Sequence, residues 1–559
     1  MRRRIPMTSS SVLYRERDFA ALIYRFGFWF LIVVGLVATV GSVISMMYAG
    51  IGWDARMDTG QSVVIREVVP NLPPGSSLGD AYDKIFLTAE FYGILLPQLG
   101  DLLYGILSGS IFSGSIEILQ LNDMAAYRLQ GLASIVIAAI AAGSLGFAIT
   151  SALASRLAGA FAWALIMCTP LYFGMSSLNI KDMPLAAGFT LITSGFILNR
   201  SAKSAWVYCG VAILFTSSGA SVALATRPGL WPLLLAFAGM VLFVFGLSDF
   251  RNKTPRRSIP GMVSLAISVP VALIFLWWTN PLGRFSLFPW LWDAFDVMRD
   301  YPWDGSIRVA GLDVLSTNLP WWYVPAWVLA QLPVLTTVAI LAAVVASLAS
   351  VFRARWALAR NRLFLLAPVF IQAVVLPCAV IVSGATLYDG IRHLLFAIPA
   401  LLGLSAIAVA TLENARTFEW ISPKSLATIV AIFVVGLSAW ATARWVPYSY
   451  AYINPIAGWN HPQRDWELDY WGLTAAEGVE RLKQAGFDTI GVLPIEETAG
   501  LFGGASLSAV LESGPDAPYG LYVFNRWDVG IGDCDRAFSI VRDGQILGEG
   551  AVCQPAAVD

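Results

Sequence analysis

Long apolar segments separated by shorter polar connections dominate this chain. A membrane-spanning helix needs about 20 mostly apolar residues, and the sequence contains about eleven segments of that kind. They centre near residues 24–48, 129–151, 157–175, 184–199, 205–225, 229–248, 259–279, 321–351, 364–384, 391–412 and 425–445. The pattern therefore predicts an α-helical polytopic membrane protein that has the lipid bilayer as a partner.

Composition supports the membrane assignment, because 57% of the residues are hydrophobic and only 13% are charged. Soluble domains contain roughly 45–50% apolar and about 25% charged residues. The basic residues are scattered between apolar segments and form no continuous face that could follow a phosphate backbone. Nucleic acid is therefore excluded as a partner.

Lysine and arginine recur in every second connection between apolar segments, as at Arg156, Arg251 and Arg353. Because positive residues concentrate on the cytoplasmic side of a membrane, we expect residues 1–18 to form a cytoplasmic basic arm. The remaining connections would then lie on the extracytoplasmic side of the inner membrane. Two of them are long, at 49–128 and 280–320.

The pattern changes after the last apolar segment. Residues 473–485 have the spacing of an amphipathic helix, and 488–495 and 520–527 have the composition of strands. We therefore expect a membrane domain over 19–445, followed by a small α/β domain over 446–559. An odd number of spans places that domain on the extracytoplasmic, periplasmic side.

Two cysteines of this segment are candidates for a disulfide. Cys534 and Cys553 lie symmetrically about Asp543-Gly544, a dipeptide that favours a two-residue hairpin turn. Partners equidistant from such a turn face each other at about 5.5 Å in one pair type, which suits a disulfide. A disulfide needs an oxidising compartment, in agreement with an outside location. Two unrelated buried thiols are the alternative.

The stretch at 50–58 places two carboxylates and an arginine directly after the first apolar segment. Charge at the edge of a membrane is costly unless it is solvated, paired or used in function. Asp54 and Asp58 are therefore candidate catalytic residues, and a solvated loop is the alternative. Further along this connection, 85–107 has the spacing of one or two amphipathic helices at the membrane surface.

Four basic side chains lie at the outside ends of later segments. They are Lys181, Arg227, Arg392 and His393. A guanidinium suits a phosphate because it donates two parallel hydrogen bonds, and the start of a helix favours anions over cations. We therefore expect these residues to bind a phosphate. Two alternatives stay open. The Lys181 side chain could reach water, and Arg227 could form an ion pair with a carboxylate of the first loop, the connection at 49–128.

Two histidines in the whole chain are too few for a metal site built on several imidazoles. Carboxylate coordination of a divalent cation stays open, and the sequence indicates no other cofactor. Asp182 could cap the helix that starts beside Pro184, which would explain this aspartate without a role in function. Trp322 and its neighbours are typical interfacial anchors, although tryptophan also stacks on sugar rings.

Several short motifs resemble bacterial membrane glycosyltransferases of the GT-C superfamily, which includes the protein O-mannosyltransferases and the aminoarabinose transferase that modifies lipid A. The motifs are Asp54, NIKDMP at 179–184, LPWWY at 319–323, YDGIRHLLF at 388–396, YINPIAG at 452–458 and LDYWGL at 468–473. Within them we take six residues as candidates for substrate binding: Asn179, Asp182, Trp322, Tyr323, Tyr388 and Asp389.

The resemblance implies an inverting transfer of a sugar from a polyprenyl-phosphate donor, with a first-loop aspartate as general base. The acceptor would be a hydroxyl of an envelope lipid, glycan or protein at the outer face of the cytoplasmic membrane. Most such enzymes carry an Asp-Glu pair in this loop, whereas Ala55 follows Asp54 here, so Asp58 becomes the candidate for the second carboxylate. A polytopic transporter and a non-catalytic scaffold for envelope assembly are the competing interpretations.

Overall fold

The fold is mostly helical, and a computed structural model describes most of the chain. The described residues are 9–85, 89–108, 125–201, 205–251, 259–352, 364–415, 421–459, 465–494, 505–512, 517–526 and 529–554.

Six described helical stretches are long and apolar enough to cross a membrane. They are Ala20–Tyr48, Tyr127–Leu153, Pro228–Phe250, Ile259–Thr279, Arg392–Glu413 and Pro423–Trp445. Two bent pairs, Arg156–Cys168 with Pro170–Leu178 (61°) and Tyr323–Gln331 with Val334–Ala349 (118°), raise the number to eight. The protein is thus a multi-pass membrane protein, as predicted. Full-length spans are fewer than the eleven apolar segments because bends and short helices interrupt several of them.

The first half of the chain is built from twelve described α-helices. They are α1 (Ser9–Tyr48), α2 (Trp53–Val68), α3 (Leu78–Tyr82), α4 (Leu95–Ser108), α5 (Ala125–Leu153), α6 (Arg156–Cys168), α7 (Pro170–Leu178), α8 (Asp182–Ser201), α9 (Ala205–Leu224), α10 (Trp231–Arg251), α11 (Ile259–Thr279) and α12 (Pro281–Arg299). The described part of the connection at 49–128 therefore contains α2, α3 and α4, and α4 packs against α5.

Close helix packing in this half depends on small residues. A Cβ atom on Gly188 of α8 would lie 2.6 Å from the carbonyl oxygen of Gly219 on α9. Glycine at these positions lets the two backbones approach directly, as is common between membrane helices. The close α8–α9 contact fixes the position of the α8 start, where the residues of the candidate site lie.

The second half continues with a β-hairpin and shorter helices. They are β1 (Ser306–Val309), β2 (Leu312–Leu315), α13 (Tyr323–Gln331), α14 (Val334–Phe352), α15 (Ala367–Phe370), α16 (Leu376–Ser383), α17 (Ile398–Leu404), α18 (Ala406–Glu413) and α19 (Pro423–Trp445). The connection at 280–320 is thus ordered as α12 and the antiparallel β1–β2 pair. A π-helical turn, Ile371–Val375, joins α15 to α16, and its buried Gln372 donates to the Phe396 carbonyl at 2.6 Å.

A small α/β unit follows α19, as the sequence predicts. It contains α20 (Ala475–Gln484), β3 (Ile490–Leu493), β4 (Ala505–Ser506), α21 (Leu507–Glu512), β5 (Tyr519–Phe524), β6 (Asp535–Arg542) and β7 (Gln545–Cys553). The strand order is β4-β3-β5-β7-β6. Strand β3 is parallel to β4 and β5, and β7 is antiparallel to β5 and β6.

The β6–β7 hairpin closes at Asp543-Gly544. Both residues have positive φ, 48° and 82°, as a two-residue type I′ turn requires. Cys534 and Cys553 form a disulfide with Cα atoms 4.5 Å apart. This bond ties the segment that precedes β6 to the end of β7 and stabilises the edge of the sheet.

Candidate active site

The first-loop helix α2 meets the start of α8 through an ion pair. The Lys181 Nζ lies 2.6 Å from an Asp58 carboxylate oxygen, and both side chains are largely buried, at 17% and 15% exposure. Asp54 precedes Asp58 by one helical turn on α2, but its side chain lies outside the described part of the structure. Lys181 thus contacts a predicted catalytic carboxylate instead of reaching water.

The NIKDMP motif forms a tight turn between α7 and α8. The Asn179 Oδ1 accepts hydrogen bonds from the backbone amides of Lys181 at 3.1 Å and Asp182 at 2.7 Å, so the asparagine caps α8. Its Nδ2 donates to an Asp182 carboxylate oxygen at 2.9 Å. The other oxygen of Asp182 pairs with Arg227. The capping role predicted for Asp182 is therefore filled by Asn179, and the Asp182 carboxylate holds an arginine.

Arg227 lies between α9 and α10 with a side chain that is only 6% exposed. Its partner is Asp182 of α8, so the predicted alternative, an ion pair with a first-loop carboxylate, is wrong. The first loop does contact this connection through its backbone, because Gly93 N donates to Thr226 O at 3.1 Å. A Cβ on Gly93 would meet the Ala225 carbonyl at 1.9 Å, so only glycine permits this approach.

Tyr92, a residue that the sequence did not single out, links two of the cations. The Lys181 Nζ lies 4.4 Å and the Arg227 Cζ 4.7 Å from the centre of its ring. Burial raises the pKa of Tyr92 to about 12, although Arg227 lowers it, so the ring is neutral at physiological pH. Such cation–π contacts fix the basic groups without neutralising them.

The YDGIRH motif builds a second centre at the start of the helical stretch that contains α17. The Asp389 carboxylate lies 3.0 Å from an Arg392 nitrogen, and the guanidinium of Arg392 stacks over the ring of Tyr388, with Cζ 4.8 Å from its centre. Tyr388 also packs edge-on against His393 at 4.6 Å and against Trp303 at 4.4 Å. The connection at 280–320 therefore covers this centre.

The two centres form one basic cluster, defined here as Lys181, Arg227, Arg392 and His393. Asp182 lies within electrostatic range of three of them, Arg227, Arg392 and His393, and His393 is influenced by Lys181 as well. The Nδ1 atom of His393 is buried and has no hydrogen-bond partner among the described residues. The fold thus brings together all four basic residues that the sequence predicted.

Tyr323 and Trp322 have different surroundings. Tyr323, in the first turn of α13, is fully buried and donates a hydrogen bond to the Gly390 carbonyl at 2.9 Å. It therefore supports the backbone beside Asp389. Trp322 is half-buried and packs against the hydrophobic core. Of the six predicted substrate-binding residues, Asn179, Asp182, Tyr323, Tyr388 and Asp389 lie in or beside the cluster.

Two residues of the C-terminal unit approach Asp389, and the sequence pattern did not reveal either. Arg526 follows β5, and one of its nitrogens lies 3.1 Å from the second oxygen of Asp389. Glu467 is 5% exposed, and burial raises its pKa to about 7, with Arg526 lowering and Asp389 raising it. Glu467 lies among other charged residues and Arg526 follows an apolar strand, and neither pattern indicates a partner so distant in the chain.

Two cavities lie near these groups. The first, of about 290 Å³, is lined by apolar side chains of α8 to α12. Leu224 and Trp231, which line it, lie on either side of Arg227 in the sequence. The second, of about 230 Å³, is lined by Gly50, Gly52 and Arg128 among others, so it opens at the start of α2.

The described residues contain no group of three or more His, Cys, Asp or Glu side chains that could hold a metal ion. The acidic groups near the cluster have basic partners: Asp58 pairs with Lys181, and Asp182 pairs with Arg227. These carboxylates therefore hold cationic side chains. This part of the chain gives no support to the divalent metal that the sequence left open.

The helical membrane domain, its ordered connections and its small C-terminal sheet are similar to the fold of a solved multi-pass membrane protein. The particular protein whose fold the chain shares is ArnT. A crystal structure of ArnT from Cupriavidus metallidurans bound to undecaprenyl phosphate is similar with a TM-score of 0.50 and 13% sequence identity, over 94% of this chain and 98% of that chain. This likeness shows a common fold.

A second structure of ArnT from Cupriavidus metallidurans, in the apo state, gives a TM-score of 0.45 and 13% identity over 94% of this chain and 97% of that chain. No family model matches the sequence, and no curated protein matches it.

Proposed function

We propose that this protein is an inverting glycosyltransferase that moves a sugar from a polyprenyl-phosphate donor to a hydroxyl of an envelope acceptor. The observation that carries the proposal is that the basic cluster contacts helix α2, which bears Asp54 and Asp58. Lys181 joins the two, since it belongs to the basic cluster and pairs with Asp58 at 2.6 Å. An acid–base group and cations for a leaving phosphate are what the transfer requires.

The basic cluster would bind the donor phosphate. Arg227 and Arg392 have side chains that are each only 6% exposed, and cations in such a water-poor site stabilise a phosphate far more than they would in bulk water. The ArnT structure with the same fold is of a complex with undecaprenyl phosphate. The present chain, with its buried arginines, is suited to the same class of lipid.

The apolar cavity between α8 and α12, which Leu224 and Trp231 line, would accept the part of the polyprenyl chain nearest the phosphate. Its volume of about 290 Å³ and its lining by Leu224, Trp231 and Leu291 suit a branched hydrocarbon. A lipid that enters between these helices would bring its phosphate to Arg227. The cavity of about 230 Å³ at the start of α2 would leave room for the acceptor.

We assign the general base to Asp54. Asp58 is engaged by Lys181 and would set the position of that cation. In the reaction the base takes the proton of the acceptor hydroxyl, whose oxygen forms a bond to the anomeric carbon on the face opposite the phosphate. The bond from the anomeric carbon to the phosphate oxygen breaks, and its electron pair stays with the polyprenyl phosphate. Inversion at the anomeric carbon follows from this single displacement.

The topology of the proposal places the N-terminal arm in the cytoplasm and the C-terminal α/β unit, over 446–559, on the periplasmic side of the inner membrane. The disulfide between Cys534 and Cys553 supports this side, because disulfides persist in oxidising compartments. Lipid-linked sugars and envelope acceptors would then meet at the outer leaflet.

Asp54→Asn tests the proposal, because it removes the base and keeps the size of the side chain. We expect transfer from a polyprenyl-phosphate sugar to fall by at least about 100-fold, the lower range for general base catalysis. The readout is mass spectrometry of envelope lipids and glycans from cells that make either form. Thermal unfolding checks that the variant is folded. Full activity of a folded Asp54→Asn protein would instead favour the transporter or the scaffold.

A further inference from the structure

Arg526 links the C-terminal sheet to the basic cluster. This residue lies two positions after the end of β5, and its side chain is 2% exposed. One nitrogen of its guanidinium lies 3.1 Å from Asp389 Oδ1, and another donates to the Tyr470 carbonyl. A buried arginine with this reach connects the α/β unit to the membrane domain at the point where Arg392 is held.

Asp389 divides its two oxygens between two arginines. Its Oδ2 lies 3.0 Å from Arg392 and its Oδ1 3.1 Å from Arg526. The backbone of Asp389 has φ +55°, a left-handed conformation that residues other than glycine seldom adopt. Such strain persists where the surroundings fix it, often at functional sites. Here the Tyr323 hydroxyl holds the next residue through the Gly390 carbonyl.

The position of Arg526 is set in advance by the sheet. The backbone amide of Asn525 donates to the Leu547 carbonyl at 2.9 Å, and the Asn525 side chain accepts from the Leu468 amide at 3.2 Å. The Asp469 amide donates to the Asn525 carbonyl at 3.2 Å. The LDYWGL segment is therefore bound to the β5 end, and its Trp471 ring lies 5.6 Å from the Arg392 guanidinium.

We propose that Arg526 is a positioning residue of the donor phosphate site and that the C-terminal unit completes this site. By sharing Asp389, Arg526 fixes the carboxylate that aims Arg392. Because one carboxylate faces two guanidinium groups, Arg392 keeps more positive charge for an incoming lipid phosphate than it would in a one-to-one pair. This inference rests on the proposed function, since it concerns the same phosphate.

The test measures binding of undecaprenyl phosphate to the full-length protein in detergent, followed by transfer kinetics where activity is found. We expect Arg526→Met to raise the Kd for undecaprenyl phosphate by about tenfold or more, which corresponds to the loss of one charge-assisted hydrogen bond. Arg526→Lys should restore part of the affinity. The matched control is Arg536→Met, because Arg536 pairs with Glu549 on the same sheet and is 56% exposed. This control should bind like wild type.

If Arg526 acts through Asp389, the effect of Arg526→Met on the Kd should depend on the presence of Asp389. In an Asp389→Asn background, adding Arg526→Met should change the Kd by less than about twofold, since contacting residues are not additive. A fully additive effect would contradict the inference. If Arg526→Met does not fold, Arg526→Lys decides the matter: an unchanged Kd overturns the inference, because an ammonium cannot bridge Asp389 and the Tyr470 carbonyl with the same planar fork.

The failure of this inference differs from the failure of the proposed function. If wild type does not bind undecaprenyl phosphate and Arg392→Met behaves in the same way, the phosphate site itself is refuted. If wild type binds and Arg392→Met weakens binding, but folded Arg526→Met binds like wild type, only the role of Arg526 is refuted.

Discussion

Two buried aspartates hold the arginines of the basic cluster in different ways. Asp182 gives one oxygen to Arg227 and the other to the Asn179 amide, so it pairs directly with one arginine. Asp389 gives its oxygens to Arg392 and Arg526, so it pairs directly with two arginines. The first arrangement comes from neighbouring helices of the membrane domain, and the second joins that domain to the C-terminal sheet.

The difference shows how a fold can leave two arginines of one proposed site with unequal net charge. An arginine in a one-to-one buried pair attracts an anion less strongly than an arginine that shares its carboxylate. A shared carboxylate leaves positive potential that a phosphate can neutralise. We therefore expect the Asp389 centre to respond to the donor lipid more strongly than the Asp182 centre.

Removal of the shared carboxylate should give the largest effect. Asp389→Asn leaves two buried guanidinium groups beside each other without the anion, and breaking a buried pair costs about 3–5 kcal/mol. Asp182→Asn is the matched variant, because it leaves one arginine without its anion. We expect a lower unfolding temperature for Asp389→Asn than for Asp182→Asn, and a larger rise in that temperature when undecaprenyl phosphate is added. An equal response of both variants would remove the distinction between the two centres.

Glu467 should give an intermediate effect that depends on pH. Burial raises its pKa from the ordinary 4.5 to about 7, so the folded state binds its proton more tightly than the unfolded state does. The stability that this gives is present at low pH and is lost as pH rises through 7, by up to about 3 kcal/mol. Glu467→Gln should therefore flatten the fall in unfolding temperature between pH 5 and pH 8.

The control for this prediction is Glu480→Gln. Glu480 is exposed on α20 and pairs with Gln484, so its replacement should leave the pH dependence as in wild type. If Glu467→Gln and wild type show the same slope with pH, Glu467 does not titrate in the interval inferred from its burial.

The pair between Lys181 and Asp58 should give the smallest effect on stability. Its side chains are 17% and 15% exposed, so water screens it more than the arginine pairs. Lys181→Met should lower the free energy of unfolding by about 1–2 kcal/mol, between the values for exposed and fully buried pairs, as measured by denaturant unfolding in detergent. A loss as large as that of Asp389→Asn would contradict the order proposed here. Lys181→Arg, which keeps the charge, is the control.

Much of this site could be predicted because charge at the end of an apolar segment has few explanations. That argument identified Lys181, Arg227 and Arg392, and the fold brings them together. The turn at Asp543-Gly544 could also be predicted from the sequence, since Asp and Gly tolerate positive φ. The spans were harder to count, because the bend of 61° between α6 and α7 interrupts a continuous apolar run.

Other parts of the site depend on contacts that no local pattern contains. Tyr92 is one tyrosine among 18, and only its position between Lys181 and Arg227 gives it a role. Arg526 and Glu467 reach Asp389 across long stretches of chain, through a sheet whose register decides which residues face the membrane domain. Pairing at this range is a property of the folded chain as a whole.

The contact between Asp389 and Arg526 also bears on how the protein matures. During synthesis Asp389 and Arg392 leave the ribosome well before β5 exists, so the emerging chain holds this carboxylate with one arginine only. The second arginine arrives after β5 has been made and has paired with β3 and β7. A chain arrested before that step would carry its membrane helices and still lack the finished contact, so the contact would form only when the last strands have folded.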